Sequence, residues 1–272
     1  MAGYWSFDDG TATDNSGNGN NGSLINAPAV VAGKNGQALN FNGSNQYVSL
    51  GNVLNPGTGD LSIFAWVRTT QSGNFNMILS KRDASLVTNG GYQLFQNGNN
   101  AVSFAFGDGN SSRVKIDSTG PRINDGVWHL VGAVFTRSGN GVLYVDGAPA
   151  AAGTGSIANQ SGAVSNALAL RIGAEQQGFN WAGAIDEVRI YNRALTAGDA
   201  QHQVRGGNVA AAIPKLVDDH IGDGGAPAHL ACPSGQQDGV DVEQPHVLLQ
   251  GRKRAGAGVE PEEGRCARRR HS

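Results

Sequence analysis

Asp9 and Asp186 stand in two strand-like segments, one at the opening of the chain and one near residue 190. In Ala184-Ile185-Asp186-Glu187-Val188-Arg189-Ile190, period-two alternation places Ala184, Asp186, Val188 and Ile190 on one strand face. Trp5, Phe7 and Asp9 share a face in the same way. Their apolar members turn these rows inward, and a carboxylate carried inward needs a hydrogen-bond partner, a metal or a wet rim. Calcium is the one cofactor with a physical case, because it takes oxygens from carboxylates, Asn side chains and backbone carbonyls. Asp9, Asp186 and the backbone of Gly43, at the end of another strand-like run, are the expected ligands. Asp14 is a second candidate, although Asp14-Asn15-Ser16-Gly17 also makes an Asx-type turn without an ion.

A second chemistry is sugar recognition, which asks for an aromatic platform flanked by planar amides or Arg. Two loop regions provide this, Asn74-Phe75-Asn76 and Gln176-Gln177-Gly178-Phe179-Asn180-Trp181. Tyr92, Gln93, Phe95 and Gln96 can line a concave sheet face between them, with Arg113 nearby. The expected ligand-binding residues are Phe75, Asn76, Tyr92, Gln93, Arg113, Gln176, Phe179, Asn180 and Trp181. Trp181 has a competing role as a core plug, because it directly precedes an apolar strand.

Catalysis is poorly provided for. Glycoside hydrolysis needs two carboxyls across the scissile bond, one usually a Glu with a raised pKa. Before residue 203 the glutamates are Glu175 and Glu187. Glu187 is expected to pair with Arg189, or with a cross-strand base, on an exposed face. His129 lies between Trp128 and Leu130, and no Gly-x-Ser-x-Gly elbow precedes a helix. A packed or rim histidine is the expectation. Gly17-Asn18-Gly19 and Gly107-Asp108-Gly109 open no helix, so they read as turns rather than phosphate cradles.

The elements that must position these residues are strands. Leu61–Val67 is apolar on both faces, as is Trp128–Phe135, so both read as central strands of a two-layer sandwich. Val142–Val145, Asp146-Gly147 and Ala148–Ala152 carry a hairpin signature, and Ala167–Ile172 reads as a further strand. Thr196 is placed to cap a short closing helix through His202. The expected fold is all-β: a two-sheet antiparallel jelly-roll sandwich with a short C-terminal helix. The 41 glycines suit such a turn-rich design, and the net charge of −2 gives no pull toward nucleic acid or an anionic membrane. No apolar run is long enough to span a bilayer, so no membrane insertion is expected.

From residue 203 to 272 there is no aromatic residue, and basic and acidic side chains balance, so a low-order tail is expected. Arg252-Lys253-Arg254 and Arg268-Arg269-Arg270 belong to that solvated tail. Cys232 and Cys266 also fall there, so the β module needs no disulfide.

Six strings occur in a telling order: Trp5-Ser6-Phe7-Asp8-Asp9-Gly10, Asp14-Asn15-Ser16-Gly17-Asn18-Gly19-Asn20, Leu39-Asn40-Phe41-Asn42-Gly43-Ser44, Trp128-His129, Leu143-Tyr144-Val145-Asp146-Gly147 and Ile185-Asp186-Glu187-Val188-Arg189-Ile190-Tyr191-Asn192-Arg193-Ala194-Leu195. Residues 3–202 thereby resemble LamG-like (laminin G type, concanavalin A-like) jelly-roll domains. The resemblance implies a structural calcium that staples terminal strands on the convex side. Hydrolases of the concanavalin A-like class commonly carry Glu-x-Asp-x-x-Glu on one strand; here Ala184 and Arg189 occupy both glutamate positions. The expected function is non-catalytic recognition of a carbohydrate or glycoconjugate, with a glycan or glycoprotein as partner. The alternatives are a polysaccharide hydrolase or lyase of the same fold, and a structural or adhesion module that binds protein. The start Met1-Ala2-Gly3 shows no basic-then-apolar leader. The resemblance implies a secreted or cell-surface protein whose leader is already gone, ahead of a cytosolic one.

Overall fold

A computed structural model describes residues 1–82, 90–110 and 113–205. The expected tail lies outside the described residues, apart from its first three, which finish the closing helix and its cap. In chain order the elements are β1 (Gly3–Trp5), β2 (Ser23–Ile25), β3 (Ala29–Ala32), β4 (Gln37–Asn42) and β5 (Tyr47–Ser49). Next come β6 (Leu61–Arg68), β7 (Asn76–Ser80), β8 (Gly91–Gln96), β9 (Ala101–Gly107) and β10 (Val114–Arg122). The last are β11 (His129–Phe135), β12 (Asn140–Val145), β13 (Ala148–Ser156), β14 (Arg171–Ile172), β15 (Ala182–Tyr191) and α1 (Ala197–Val204).

All the ladders are antiparallel. One sheet runs β3-β4-β15-β6-β11-β12-β13, with β1 also on β15; the other runs β2-β5-β14-β7-β8-β9-β10. A single pairing, Gly120 with Ala151, joins them at the β10–β13 edge. This is the expected jelly-roll sandwich. The layers close because each central strand offers one apolar row to the space between them: Ile63, Ala65 and Val67 from β6, Val131, Ala133 and Phe135 from β11, Leu94 from β8, and Phe104 and Phe106 from β9. Phe135 lies 4.5 Å from Phe104 and 4.7 Å from Phe106 between ring centroids, locking the two sheets together.

The opposite row of the first sheet is apolar too, and it needs a cover of its own. Phe64, Trp66, Leu130, Val134, Tyr144 and Tyr191 pack with Leu195 and Ala200 of the closing segment. Thr196 caps α1 in a capping box with Asp199, as expected. Gly147 completes the Asp146-Gly147 turn at φ 81°, and a Cβ there would lie 2.7 Å from Val204, so α1 seats directly on that turn. The first sheet is therefore covered on both faces. Among the described residues no helix covers the outer face of the second.

Three expectations need correction. Of Ala167–Ile172, Arg171 and Ile172 alone form a strand; Leu170 instead extends the edge contact by bonding Leu50 and Gly51. The opening strand stops at Trp5, because Phe7 takes φ 59° and breaks the alternation, so Asp9 is exposed rather than inward. In β15 the register against β6 slips between Asp186 (opposite Trp66) and Arg189 (opposite Phe64), with Glu187 at φ 53° as the extra residue. This bulge resets the alternation. Ile185, Val188 and Ile190 face the core, whereas Asp186 points to the outer side of the sheet, opposite to the face that strict alternation assigns.

Candidate functional site

The second sheet's outer face carries a small apolar floor of Met77, Phe95 and Ala105. Alternation puts it there: Phe95 and Gln93 share one face of β8, while Tyr92 and Leu94 take the core side. Two loops rise beside this floor. The loop before β7 brings Phe75, stacked on Phe95 at 5.3 Å, and the loop before β15 brings Phe179, tilted against Phe75 at 5.6 Å. Together they enclose a cleft of about 290 Å³ lined by Phe75, Gln93, Phe95, Ala105, Arg113, Lys115, Gln177 and Phe179.

Both loops are built stiffly. Gly178 at φ 92° turns the second loop, Glu175 accepts from the Gln177 N–H at 2.7 Å, and the Asn180 amide holds the Ser44 and Gly178 carbonyls. Gln71 ties the two loops together: its side chain accepts from Ala182 N–H and donates to the Asn180 carbonyl, and its own carbonyl accepts from Gln96. Phe75 sits at φ 62°, a left-handed conformation that costs a non-glycine residue on the order of 1 kcal/mol. Phe179 is 42 % exposed in spite of its size.

Of the nine expected ligand residues, Phe75, Gln93, Arg113 and Phe179 come together here. Tyr92 does not: it is fully buried in the sandwich, its hydroxyl donates to the Leu54 carbonyl, and burial pushes its pKa far up. Trp181 is likewise fully buried and plugs the core. Asn76 is buried and donates to the Ser72 carbonyl; Gln176 and Asn180 spend their amides on loop carbonyls. Gln177 of the loop named from sequence also lines the cleft, as do Lys115 and Ala105, which the sequence did not single out. Lys115 takes the β10 face opposite to Val114 and Ile116, which pack on the core side, and that alternation was the available signal.

A roomier hollow of about 450 Å³ is lined by Asn40, Arg68, Thr69, Thr70, Gln71, Gly126, Ala182 and Gly183. It has no aromatic ring, so it lacks a platform for a sugar face.

The expected calcium ligands do not meet as a set. Asp9 is bound to its own turn, accepting from the Thr11 N–H and hydroxyl, which lower its pKa. Gly43 pairs with Trp181, beside Ala182. Asp186 is fully buried under the β3–β4 turn, where one oxygen accepts from Lys34 and Asn35 N–H groups and Oδ1 has no hydrogen-bond partner among the described residues. Burial above all, and then the charge of Glu187, push its pKa up to about 7. Asp8, the neighbour of the residue named from sequence, meets the same turn and accepts from the Gln37 N–H. Asp14 accepts from Tyr4, Ser16 and Asn20 N–H groups and closes its loop as an Asx-type turn.

Glu187 pairs with Arg189 as expected, but buried rather than exposed: it also accepts from the Tyr4 hydroxyl at 2.9 Å, and Arg189 reaches Gln203 of α1. His129 is a rim histidine. Its Nδ1 lies 2.8 Å from Asp146 and its Nε2 3.2 Å from Asp125, and these two acids raise its pKa. A histidine stabilised in its charged form adds stability that is complete below its unfolded pKa near 6.5 and is lost as pH rises through the higher folded value. With both acids about half exposed, the loss is about 0.5 kcal/mol, or roughly 1–2 °C. Thermal melts from pH 6 to 9 should decline by that much more in the native chain than in His129→Gln. The buried Asp186 carboxyl adds a loss of the same sign, so the difference between the two chains isolates His129.

A family model of the concanavalin A-like lectin/glucanases superfamily matches residues 42–201. Domain 4 of a GH43 extracellular arabinanase from Geobacillus stearothermophilus, solved in complex with arabinotriose, superposes with a TM-score of 0.63 at 20 % identity, covering 75 % of this chain and 97 % of that one. The binding domain of Paraclostridial Mosquitocidal Protein 1 gives 0.64 at 15 % identity over 75 % of this chain and 52 % of that one. The botulinum neurotoxin serotype G binding domain gives 0.57 at 19 % identity, with 75 % and 51 % covered. At these identities the likeness is one of fold, and this chain spans about half the length of the two toxin domains.

Proposed function

The chain belongs to the concanavalin A-like lectin/glucanases superfamily, and from there we propose that residues 3–202 form a non-catalytic module that binds carbohydrate in the Phe75–Phe95–Phe179 cleft. The observation that carries this reading is the aromatic floor and wall with Gln93 and Gln177 at its edge, on the sheet face that α1 leaves uncovered. Rings accept the C–H face of a sugar, while the buried Gln93 spends its amide N–H on the Ser80 hydroxyl and helps shape the cleft floor. The arabinanase domain solved with arabinotriose and the toxin binding domains support a binding role. No carboxylate is among the lining residues of the cleft, and hydrolysis would need two. Glu175 and Glu187 are both buried, one held by a loop N–H and the other by Arg189. A polysaccharide or glycoprotein ligand goes with a secreted or cell-surface location. A glycan array combined with reducing-sugar release on the same glycans tests the reading. Binding without release is expected; release of product would overturn the non-catalytic role, and silence on every glycan would favour a protein-binding adhesion module.

Calcium, in this proposal, binds at the Asp186 carboxylate and staples rather than reacts. Oδ1, without a hydrogen-bond partner among the described residues and buried beside a turn that Asp8 also touches, is open to a hard cation, whereas Asp9 is engaged in its own turn and Gly43 donates its N–H to the Trp181 carbonyl. An ion that binds the folded chain alone adds about 2.7 kcal/mol at a hundredfold excess over Kd. Melting temperature should therefore rise with free calcium and fall with chelator, and Asp186→Asn should remove the increment. A melting curve indifferent to both additions would remove the ion from the account.

A further inference from the structure

Resting on that reading of the cleft, we infer that its ligand is an acidic saccharide whose carboxylate is held by Arg113. The charges at the cleft are one-sided: among the described residues Arg113 and Lys115 line it and no acid does. The two cations are in different states. Lys115 is already engaged, 3.0 Å from Asp117 and 5.2 Å and 5.7 Å from the Phe75 and Phe95 ring centroids. Asp117 is fixed in turn by the Ser103 hydroxyl at 2.6 Å. Arg113 makes no hydrogen bond, ion pair or ring contact with any of the described residues. Elsewhere in the module Arg137, Arg171, Arg189 and Arg193 each bond an oxygen acceptor and Arg68 lies over Trp128. The Arg122 side chain also has no partner among the described residues but does not line the cleft.

A guanidinium with no partner among the described residues, beside an aromatic platform, presents a planar fork of donors, which matches a carboxylate in two parallel bonds. A pyranose stacked on Phe75 and Phe179 places its ring substituents at the rim, where such a carboxylate can meet the fork. The low polarity of the aromatic floor strengthens the contact, because fewer waters screen it. Lys115, neutralised by Asp117 and lying over the rings, serves as a wall of the platform.

The test uses the full chain and three probes: trigalacturonate, its carboxyl-reduced neutral counterpart, and N-acetylneuraminate. Calorimetric titration at low salt should show one of the two acids bound at least tenfold more tightly than the neutral trisaccharide, and should say whether a uronic or a nonulosonic acid supplies the carboxylate. Arg113→Gln should erase that preference with an unchanged melting temperature, because the side chain bonds none of the described residues. Arg113→Lys should restore only part of it, since the charge returns without the fork. Equal affinity for acid and neutral probes, with both lost in Phe75→Ala, would overturn the acidic ligand while leaving the cleft as a sugar site. Binding that ignores Phe75→Ala would overturn the cleft itself. An acid preference that survives Arg113→Gln would overturn the role given to Arg113.

Discussion

Arg189→Ala should be among the most damaging single substitutions in the module, at about 3–5 kcal/mol. Arg189 and Glu187 are 1 % and 3 % exposed, and each is fixed by a second partner, Gln203 and the Tyr4 hydroxyl respectively. Removing the guanidinium leaves the Glu187 carboxylate buried with one neutral donor, and Tyr4 loses the cation that sits 5.0 Å over its ring. The network joins β1, β15 and α1, so its failure should loosen both ends of the chain together. For a domain of this size the cost corresponds to roughly 6–20 °C of melting temperature. The double variant Glu187→Gln/Arg189→Met should recover much of it, because an uncharged replacement of the whole pair leaves no orphaned charge, and the amide that replaces the Glu187 carboxylate keeps the Tyr4 hydroxyl as a partner. Denaturant unfolding measures both; a cost below about 1 kcal/mol for the single variant would show that water reaches Glu187.

The same residues show where the sequence was legible and where it was not. Both-face-apolar strands such as Leu61–Val67, the Asp146-Gly147 turn and the Thr196 cap were readable because local chemistry alone dictates them. The side of the sheet to which Asp186 points was not. It depends on one extra residue in β15, and a bulge of one residue looks like plain alternation until the partner strand is known. The cleft was half legible. Phe75 and Phe179 stood out as loop aromatics among amides, and Gln93 and Arg113 followed from their neighbourhood. Tyr92 was misassigned although it adjoins Gln93, and adjacency in a strand means opposite faces. Lys115 and Ala105 reach the cleft through the pairing of β10 with β9, a contact between separate strands that only the fold supplies.

Phe75→Ala should cost about tenfold in glycan affinity, and with Phe179→Ala about a hundredfold, at roughly 1.4 kcal/mol for each factor of ten. The two rings are the platform, and their removal takes away dispersion contact and excluded water together. Stability should move in a different way. Phe75 is only half buried and pays for a left-handed backbone, so Phe75→Gly trades lost packing on Phe95 against released strain. A melting temperature within about 2 °C of the native chain, beside a tenfold weaker ligand, is the expected signature of a residue kept for binding. A variant that melts early and still binds would place Phe75 among packing residues instead.

Mapping backbone amide shifts while titrating a glycan that scores on the array tests the central claim most directly, since it reports where the sugar sits. The largest changes should fall on Phe75, Gln93, Phe95, Ala105, Lys115 and Phe179, with the Gln177–Asn180 loop following them. Changes centred on the Arg68–Gln71 and Ala182–Gly183 hollow, with the aromatic cleft silent, would contradict the account.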